Sequence, residues 1–207
     1  MKKILFINAC VRSNSRTKQL AAYVLGKLDG EVHELRLEDM KFPEVNEEFL
    51  AERERKSSSG ELGDEMLVCA RALAEADEVV IAAPYWDLSF PASLKAFFEQ
   101  ANVLGVTFEY SADGRPVGLC RADRLIYVTT AGGGIFSDEY GFGYVRTLAA
   151  AFYGIGEIVQ FKAEGLDIYG ADVESILAGT KQIIDEYFRE KRSVLVLLVK
   201  QVVQVDR

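Results

Sequence analysis

Between Pro84 and Pro91 the chain places Tyr85 and Trp86, its one tryptophan, directly before Asp87 and Leu88. Rings of that size ordinarily fill a core, but these stand between two prolines, the second of which is placed to start a helix. Such a loop suits a planar, aromatic ligand. A second segment, Arg12-Ser13-Asn14-Ser15-Arg16-Thr17-Lys18, offers hydroxyls and basic side chains. At a helix amino terminus they would join free backbone N–H groups and the helix dipole in attracting a phosphate. Ser13 or Ser15 would serve equally as an ordinary helix cap. A third segment, Thr130-Ala131-Gly132-Gly133-Gly134-Ile135-Phe136, holds three successive glycines. These make either a flexible connection or a strip of backbone that a ligand can approach closely.

Other chemistries are poorly supplied. The single histidine, His33, lies in Glu31-Val32-His33-Glu34-Leu35 with no cysteine or second histidine beside it, and it shares strand parity with Leu35 and Leu37. A structural role is expected, which leaves no imidazole for a serine triad or a zinc site. Cys10, Cys69 and Cys120 are an odd, widely spaced set without a CxxC pair. They argue against a disulfide framework, a metal site or an iron–sulfur cluster, and suit a reducing cytosol. Neither GxGxxG nor GxxxxGK[ST] occurs, so the dinucleotide and Walker fingerprints are absent. With 24 basic against 32 acidic residues the net charge is -8, which repels nucleic acid and anionic membrane surfaces. The longest apolar run, Val194 to Val199, falls far short of a membrane span. The apolar start, Ile4-Leu5-Phe6-Ile7, reads as a first strand and not as a signal peptide.

The elements that must position the three segments follow from periodicity. Strands are expected at 2–9, 31–37, 78–83, 124–130 and 157–163, alternating with helices at 16–28, 61–76, 91–102, 141–153 and 171–190. The strands around Ile4, Val79 and Leu125 are continuous apolar runs, which predicts an α/β fold: a doubly wound, five-stranded parallel sheet with helices on both faces. All three candidate loops then leave carboxyl ends of strands, where open α/β sheets bind ligands. Two excursions interrupt the series. Met40 to Gly60 is charged and reads as a mobile surface segment with a short helix over Glu47 to Arg55; Thr107 to Leu119, with a turn at Ala112-Asp113-Gly114, reads as a hairpin projecting from the sheet. Residues 1–190 are expected as a single domain and 191–207 as a tail of unassigned structure. Within the tail, Ser193 to Val199 could be an edge strand, a continued helix or a partner contact.

At these loops the sequence resembles the FMN-dependent NADH azoreductase and NAD(P)H quinone reductase family, dimeric enzymes of flavodoxin-like fold, over nearly its whole length to about Phe188. Pro84-Tyr85-Trp86-Asp87-Leu88-Ser89-Phe90-Pro91-Ala92-Ser93-Leu94-Lys95 is similar to the family's P-M-Y-N-F-x-[IV]-P-A-x-L-K. Thr107-Phe108-Glu109-Tyr110 with Gly118-Leu119 resembles T-F-x-Y…G-L, Thr130-Ala131-Gly132-Gly133 resembles S-R-G-G, and Ala163-Glu164-Gly165 matches A-E-G. The resemblance implies an FMN cofactor, with Ser15, Arg16 and Thr17 cradling its phosphate and Arg12 as a further candidate. Pro84, Tyr85, Trp86, Asp87 and Leu88 would face the flavin ring, and Thr130, Gly132 and Gly133 would line its polar edge. Tyr110 and Phe136 would form the acceptor's apolar walls, completed by the second subunit of a homodimer. The implied reaction is two-electron, ping-pong transfer from NADH or NADPH to quinones, azo compounds or nitroaromatics. A flavodoxin-like electron carrier or non-enzymatic flavin-binding protein is the alternative. Tyr85, Trp86, Asp87, Leu88 and Ala131 depart from the family's Met, Tyr, Asn, Phe and Arg. Of these, ionised Asp87 accepts hydrogen bonds but cannot donate them.

Overall fold

The computed structural model describes residues 1–205, with side chains through Lys191. Five parallel strands, β1 (Lys3–Asn8), β2 (Glu31–Arg36), β3 (Glu78–Ala82), β6 (Arg124–Thr130) and β7 (Glu157–Ala163), form one sheet in the order β2-β1-β3-β6-β7. The expected five-stranded, doubly wound architecture is therefore present. Strands β4 (Phe108–Tyr110) and β5 (Pro116–Gly118) pair antiparallel as the hairpin expected between Thr107 and Leu119.

The period-2 alternation of each strand sends its apolar residues to two separate cores. Ile4, Phe6, Val80, Ile126, Val128 and Phe161 pack under α1 (Arg16–Leu25) and α6 (Val173–Val205) through Leu20, Val24, Ile184 and Phe188. Leu5, Ile7, Val79, Ile81, Leu125 and Tyr127 pack on the other face against α3 (Val68–Glu75), α4 (Ala92–Ala101) and α5 (Tyr144–Ala151) through Leu73, Leu94, Phe97, Phe98 and Leu148. In α1 the buried positions are Thr17, Leu20, Ala21 and Val24, the one-sided spacing of an amphipathic helix.

Several boundaries differ from the sequence expectation, each for a local reason. Helix α1 stops at Leu25 because Gly26 forms its C-cap, with its N–H bonded to the Ala22 carbonyl. The helix expected at 61–76 begins only with a 3-10 turn at Glu65–Leu67, since Asp64 caps the Met66 N–H and interrupts the periodic pattern. A π-helical turn, Glu139–Gly143, precedes α5. The charged excursion is not a loose segment: α2 (Glu47–Ser58) runs through it, capped by Asn46 and anchored where buried Arg53 donates to the Glu99 carbonyl at 2.7 Å. Helix α6 continues beyond residue 190, so the backbone over Ser193 to Val199 is helical and not an edge strand. The side chains of that tail and all of residues 206–207 lie outside the described residues.

Strand β2 is the least covered of the five. It sits at the sheet edge with Glu31, Val32, His33, Glu34 and Arg36 all exposed, so His33 shares parity with Leu35 but stays open to solvent, lining a cavity with Val68, Arg71 and Ala72 of α3. Among the described residues no helix is long and apolar enough to cross a membrane, and no cluster of His, Cys, Asp and Glu could hold a metal ion.

The strand order reverses between β1 and β3. Chain leaves β1 towards β2 on one side and leaves β3 towards β6 on the other, which opens a crevice between the loops following β1 and β3.

Candidate ligand site at the strand switch point

The crevice is a real cavity of about 540 Å³, within the range of small-molecule sites. The loop after β1 supplies one wall with Arg12, Ser15, Arg16 and Thr17; Pro84, Tyr85 and Trp86 after β3 supply a second; Thr130 and Gly132 after β6 supply a third. Asp87, Leu88 and Gly133 stand beside this cavity and do not line it. Tyr110 and Phe136 lie on the surface away from it, about 56% and 88% exposed. Cys10, Val11 and Asn14 of the loop after β1 also line the cavity without having been assigned a contact, as do Gln19 and Asp167, to which the sequence reading drew no attention. For Asp167 there was a usable signal, since it follows the Ala163-Glu164-Gly165 motif by two residues.

The phosphate-like end is built by the start of α1. The Ser15 Oγ accepts from the Lys18 N–H at 3.2 Å, so the cap satisfies one of the helix's free donors and leaves the N–H groups of Arg16 and Thr17 without an intrahelical partner. Ser15 is thus cap and cavity wall together. Thr17 is buried, and its Oγ1 shares a 2.7 Å hydrogen bond with Thr130 Oγ1, which locks the start of α1 to the end of β6. The guanidinium of Arg12 makes no hydrogen bond or ion pair among the described residues, so its charge is available at the mouth. Arg16 is engaged elsewhere, with Nη1 donating to the Leu166 carbonyl at 2.8 Å and Nη2 pairing with Asp167 at 2.5 Å. Cys10 forms part of the floor; burial raises its thiol pKa, which keeps it protonated and unreactive at neutral pH.

The ring-like end is built by an unusual turn. Tyr85 N–H donates to the Thr130 carbonyl at 3.0 Å, and Trp86 and Ser89 then exchange backbone hydrogen bonds of 3.1 and 2.7 Å. The two residues between them, Asp87 (φ 49) and Leu88 (φ 67), are both left-handed. A two-residue connection with both central residues at positive φ normally takes Asn-Gly. Leucine has no such tolerance, because its Cβ crowds the following carbonyl. Leu88 is also half exposed, so its burial contributes little in return. Leu88→Asn should therefore raise stability by about 0.5–1 kcal/mol; an unchanged or lower midpoint in urea denaturation would contradict a strained turn.

The glycine run meets the loop after β7 through its carbonyls. Gly132 O accepts from Asp167 N–H at 2.8 Å, Gly133 O from Gly165 N–H at 2.9 Å, and Glu164 accepts from Ile135 N–H at 2.7 Å. A Cβ at Gly133 or Gly134 would meet nothing within 4 Å, so their backbone faces open space.

The residues present fit a phosphorylated flavin. One end of the cavity has a helix start and an unpaired cation, the other has aromatic rings, and the hydroxyl of Tyr85 is buried beside it with no hydrogen-bond partner. A buried hydroxyl left unpaired is costly, and such groups collect at sites completed by something bound.

Comparison with known proteins agrees with this geometry. A family model described as flavodoxin-like fold matches residues 2–188. A protein of Clostridium acetobutylicum named FMN-dependent NADH:quinone oxidoreductase 2 is 35% identical over 202 residues, spanning 92% of this chain and 100% of that one. An FMN-dependent NADH:quinone oxidoreductase of Lachnoclostridium phytofermentans is 34% identical over 185 residues, spanning 84% and 92%. Among solved structures, an azoreductase of Bacillus anthracis superposes with a TM-score of 0.77 at 24% identity, covering 92% of this chain and 100% of the other. An FMN-dependent NADH-azoreductase from that species in complex with FMN gives 0.74 at 20% identity, covering 92% and 99%. At those identities the structures speak to the fold.

Proposed function

This chain belongs to the flavodoxin-like family that includes the FMN-dependent NADH:quinone oxidoreductases, and from that membership we propose that it is an FMN-dependent NAD(P)H oxidoreductase reducing quinones, azo compounds or nitroaromatics. The observation that carries the reading is the cavity at the sheet's switch point whose walls come from the start of α1, the Tyr85–Trp86 segment and the Thr130–Gly132 loop. When bound, FMN supplies the redox chemistry, taking two electrons from the nicotinamide and giving them to the acceptor. The protein's part is to bind, orient and tune.

Arg12 and the N–H groups of Arg16 and Thr17 would neutralise the phosphate, with the dipole of α1 aligned behind them. Trp86 and Tyr85 would hold the flavin ring, and the narrow turn at Asp87 and Leu88 would bring backbone close to its edge. From beside the cavity, a carboxylate at Asp87 would oppose an increase of negative charge on that edge. Gly132 and Gly133 would let backbone approach from the other side. Burial keeps Cys10 a neutral thiol, so no thiolate competes for electrophilic acceptors.

We place the flavin-binding unit in residues 1–190 and take the active form to be a homodimer. The hairpin β4–β5 exposes Tyr110 and Val117, neighboured in sequence by exposed Leu104 and Leu119, and Phe136 on a separate loop and Tyr140 in the π-helical turn before α5 are also exposed. Side chains of this kind suit a second subunit that would complete the acceptor site. The three free cysteines suit the reducing cytoplasm.

The test is to load the protein with FMN and add NADH anaerobically. The flavin's visible absorbance should bleach in one two-electron step and return on adding a quinone. Steady-state double-reciprocal plots at several quinone concentrations should be parallel. An absorbance that NADH leaves unchanged would point to a carrier, and intersecting lines would reject a shared donor and acceptor site.

A further inference from the structure

Asp167 occupies the place of an anion on Arg16, and we propose that it is an internal competitor for the cofactor's phosphate, setting how strongly the protein prefers FMN to riboflavin. The inference rests on the FMN reading above and goes beyond it, since Asp167 lies outside the motifs that carry the family resemblance, two residues after Ala163-Glu164-Gly165.

Three observations converge on this residue. Arg16 and Asp167 line the same cavity as Ser15 and Thr17, so the carboxylate stands at the end of the site where the phosphate is expected. Both terminal nitrogens of Arg16 are engaged without a ligand, Nη1 on the Leu166 carbonyl at 2.8 Å and Nη2 on Asp167 Oδ1 at 2.5 Å. The arrangement is also provided for elsewhere: a Cβ at Gly132 would lie 2.3 Å from Asp167 Oδ2, so a side chain there would push the carboxylate out. The Asp167 N–H bond to Gly132 O, at 2.8 Å, holds the residue in that position.

The Asp167 carboxylate and an incoming phosphate would draw on one and the same cation at the start of α1. A phosphate arriving at the start of α1 must therefore share Arg16 with a carboxylate or displace it, and while both remain they repel each other. The pair is weak enough to be displaced, because the Asp167 side chain is about 64% exposed and that of Arg16 about 30%. Riboflavin lacks the phosphate and meets no such competition. Part of the affinity that the phosphate provides is consequently spent on removing Asp167 from Arg16.

The test compares dissociation constants of FMN and riboflavin, read from quenching of flavin fluorescence, for wild type and Asp167→Asn, with circular dichroism to confirm folding. The variant should bind FMN about two- to fivefold more tightly, the range of one exposed ion pair, and riboflavin as the wild type does. Asp167→Ala serves as a second variant should the amide misplace the loop, and the same tightening is expected. In Arg16→Met the substitution at 167 should lose most of its effect on FMN, because the contested cation is gone. Unchanged or weaker FMN binding in the folded Asp167 variants overturns the proposal, as does an equal tightening of FMN and riboflavin. Failure of the wild type to bind either flavin overturns the proposed function and this inference with it, whereas wild-type binding without a phosphate-specific change overturns this inference alone.

Discussion

Gly118→Ala should lower stability by about 3 kcal/mol, equivalent to a fall in melting temperature of roughly 6–12 °C for a chain of this size. The cause is backbone against backbone. A Cβ at position 118 would lie 2.1 Å from the Gly154 nitrogen and 2.1 Å from the Tyr153 carbonyl carbon, neither of which can rotate away. Gly154 itself has φ +73, a conformation that L side chains rarely adopt, so the backbone packed against Gly118 is already at a specialised turn. Around this contact the hairpin is seated by the Phe108 ring on Phe152 at 5.0 Å, by Leu119 N–H on the Thr107 carbonyl at 2.9 Å, and by the buried Thr107 hydroxyl on the Ala101 carbonyl at 2.8 Å. Displacing Gly118 strains all of them. Gly133→Ala is the control, since its Cβ would meet nothing within 4 Å, and it should cost well under about 1 kcal/mol. Equal melting temperatures for the two variants would show that the hairpin is not held by this contact.

Arg12→Ala should weaken FMN binding by about ten- to a hundredfold, the range of a hydrogen bond to a charged group, and leave riboflavin binding nearly unchanged. Arg12 is the cation at the cavity mouth without a partner of its own among the described residues, while Arg16 is shared with Asp167. Its loss therefore breaks no internal contact, and the melting temperature of the flavin-free protein should stay put. FMN affinity should also become less sensitive to salt, because one exposed charge has left the interaction. Titrations with both flavins at low and moderate salt would decide the matter. Losses of the same size for both would mean that Arg12 acts on the ring or merely on the loop.

Most of the fold was legible because its signals are local. The strand at 157–163 and that at 124–130 appear with those bounds, since apolar runs between turn residues admit few other readings. The hairpin was legible from Asp113-Gly114 between two short extended segments, and Gly114 indeed has φ +77. Helix starts were less legible where a cap competes with periodicity, as Asp64 does ahead of α3. In the candidate site, composition marked the three loops but not their internal pairing. Arg16 and Asp167 are 151 residues apart, and their ion pair depends on β7 lying beside β6, which no short-range pattern encodes. The left-handed pair Asp87-Leu88 was hidden for a different reason: it carries none of the glycine or asparagine that ordinarily advertises such a turn.

The uncovered strand β2 has a consequence for how copies of this protein meet. A sheet edge with free backbone groups is a template onto which another chain can add, the usual route to unwanted polymers. Here that edge carries Glu31, Glu34 and Arg36 on a six-residue strand, and Asn8 ties Glu34 in place at 2.7 Å. Charged side chains on so short a strand hold solvent along the edge and leave little length for another strand to pair with. Strand-to-strand fusion along this edge is thereby discouraged, so the shortness and charge of β2 keep an open sheet edge from acting as a template.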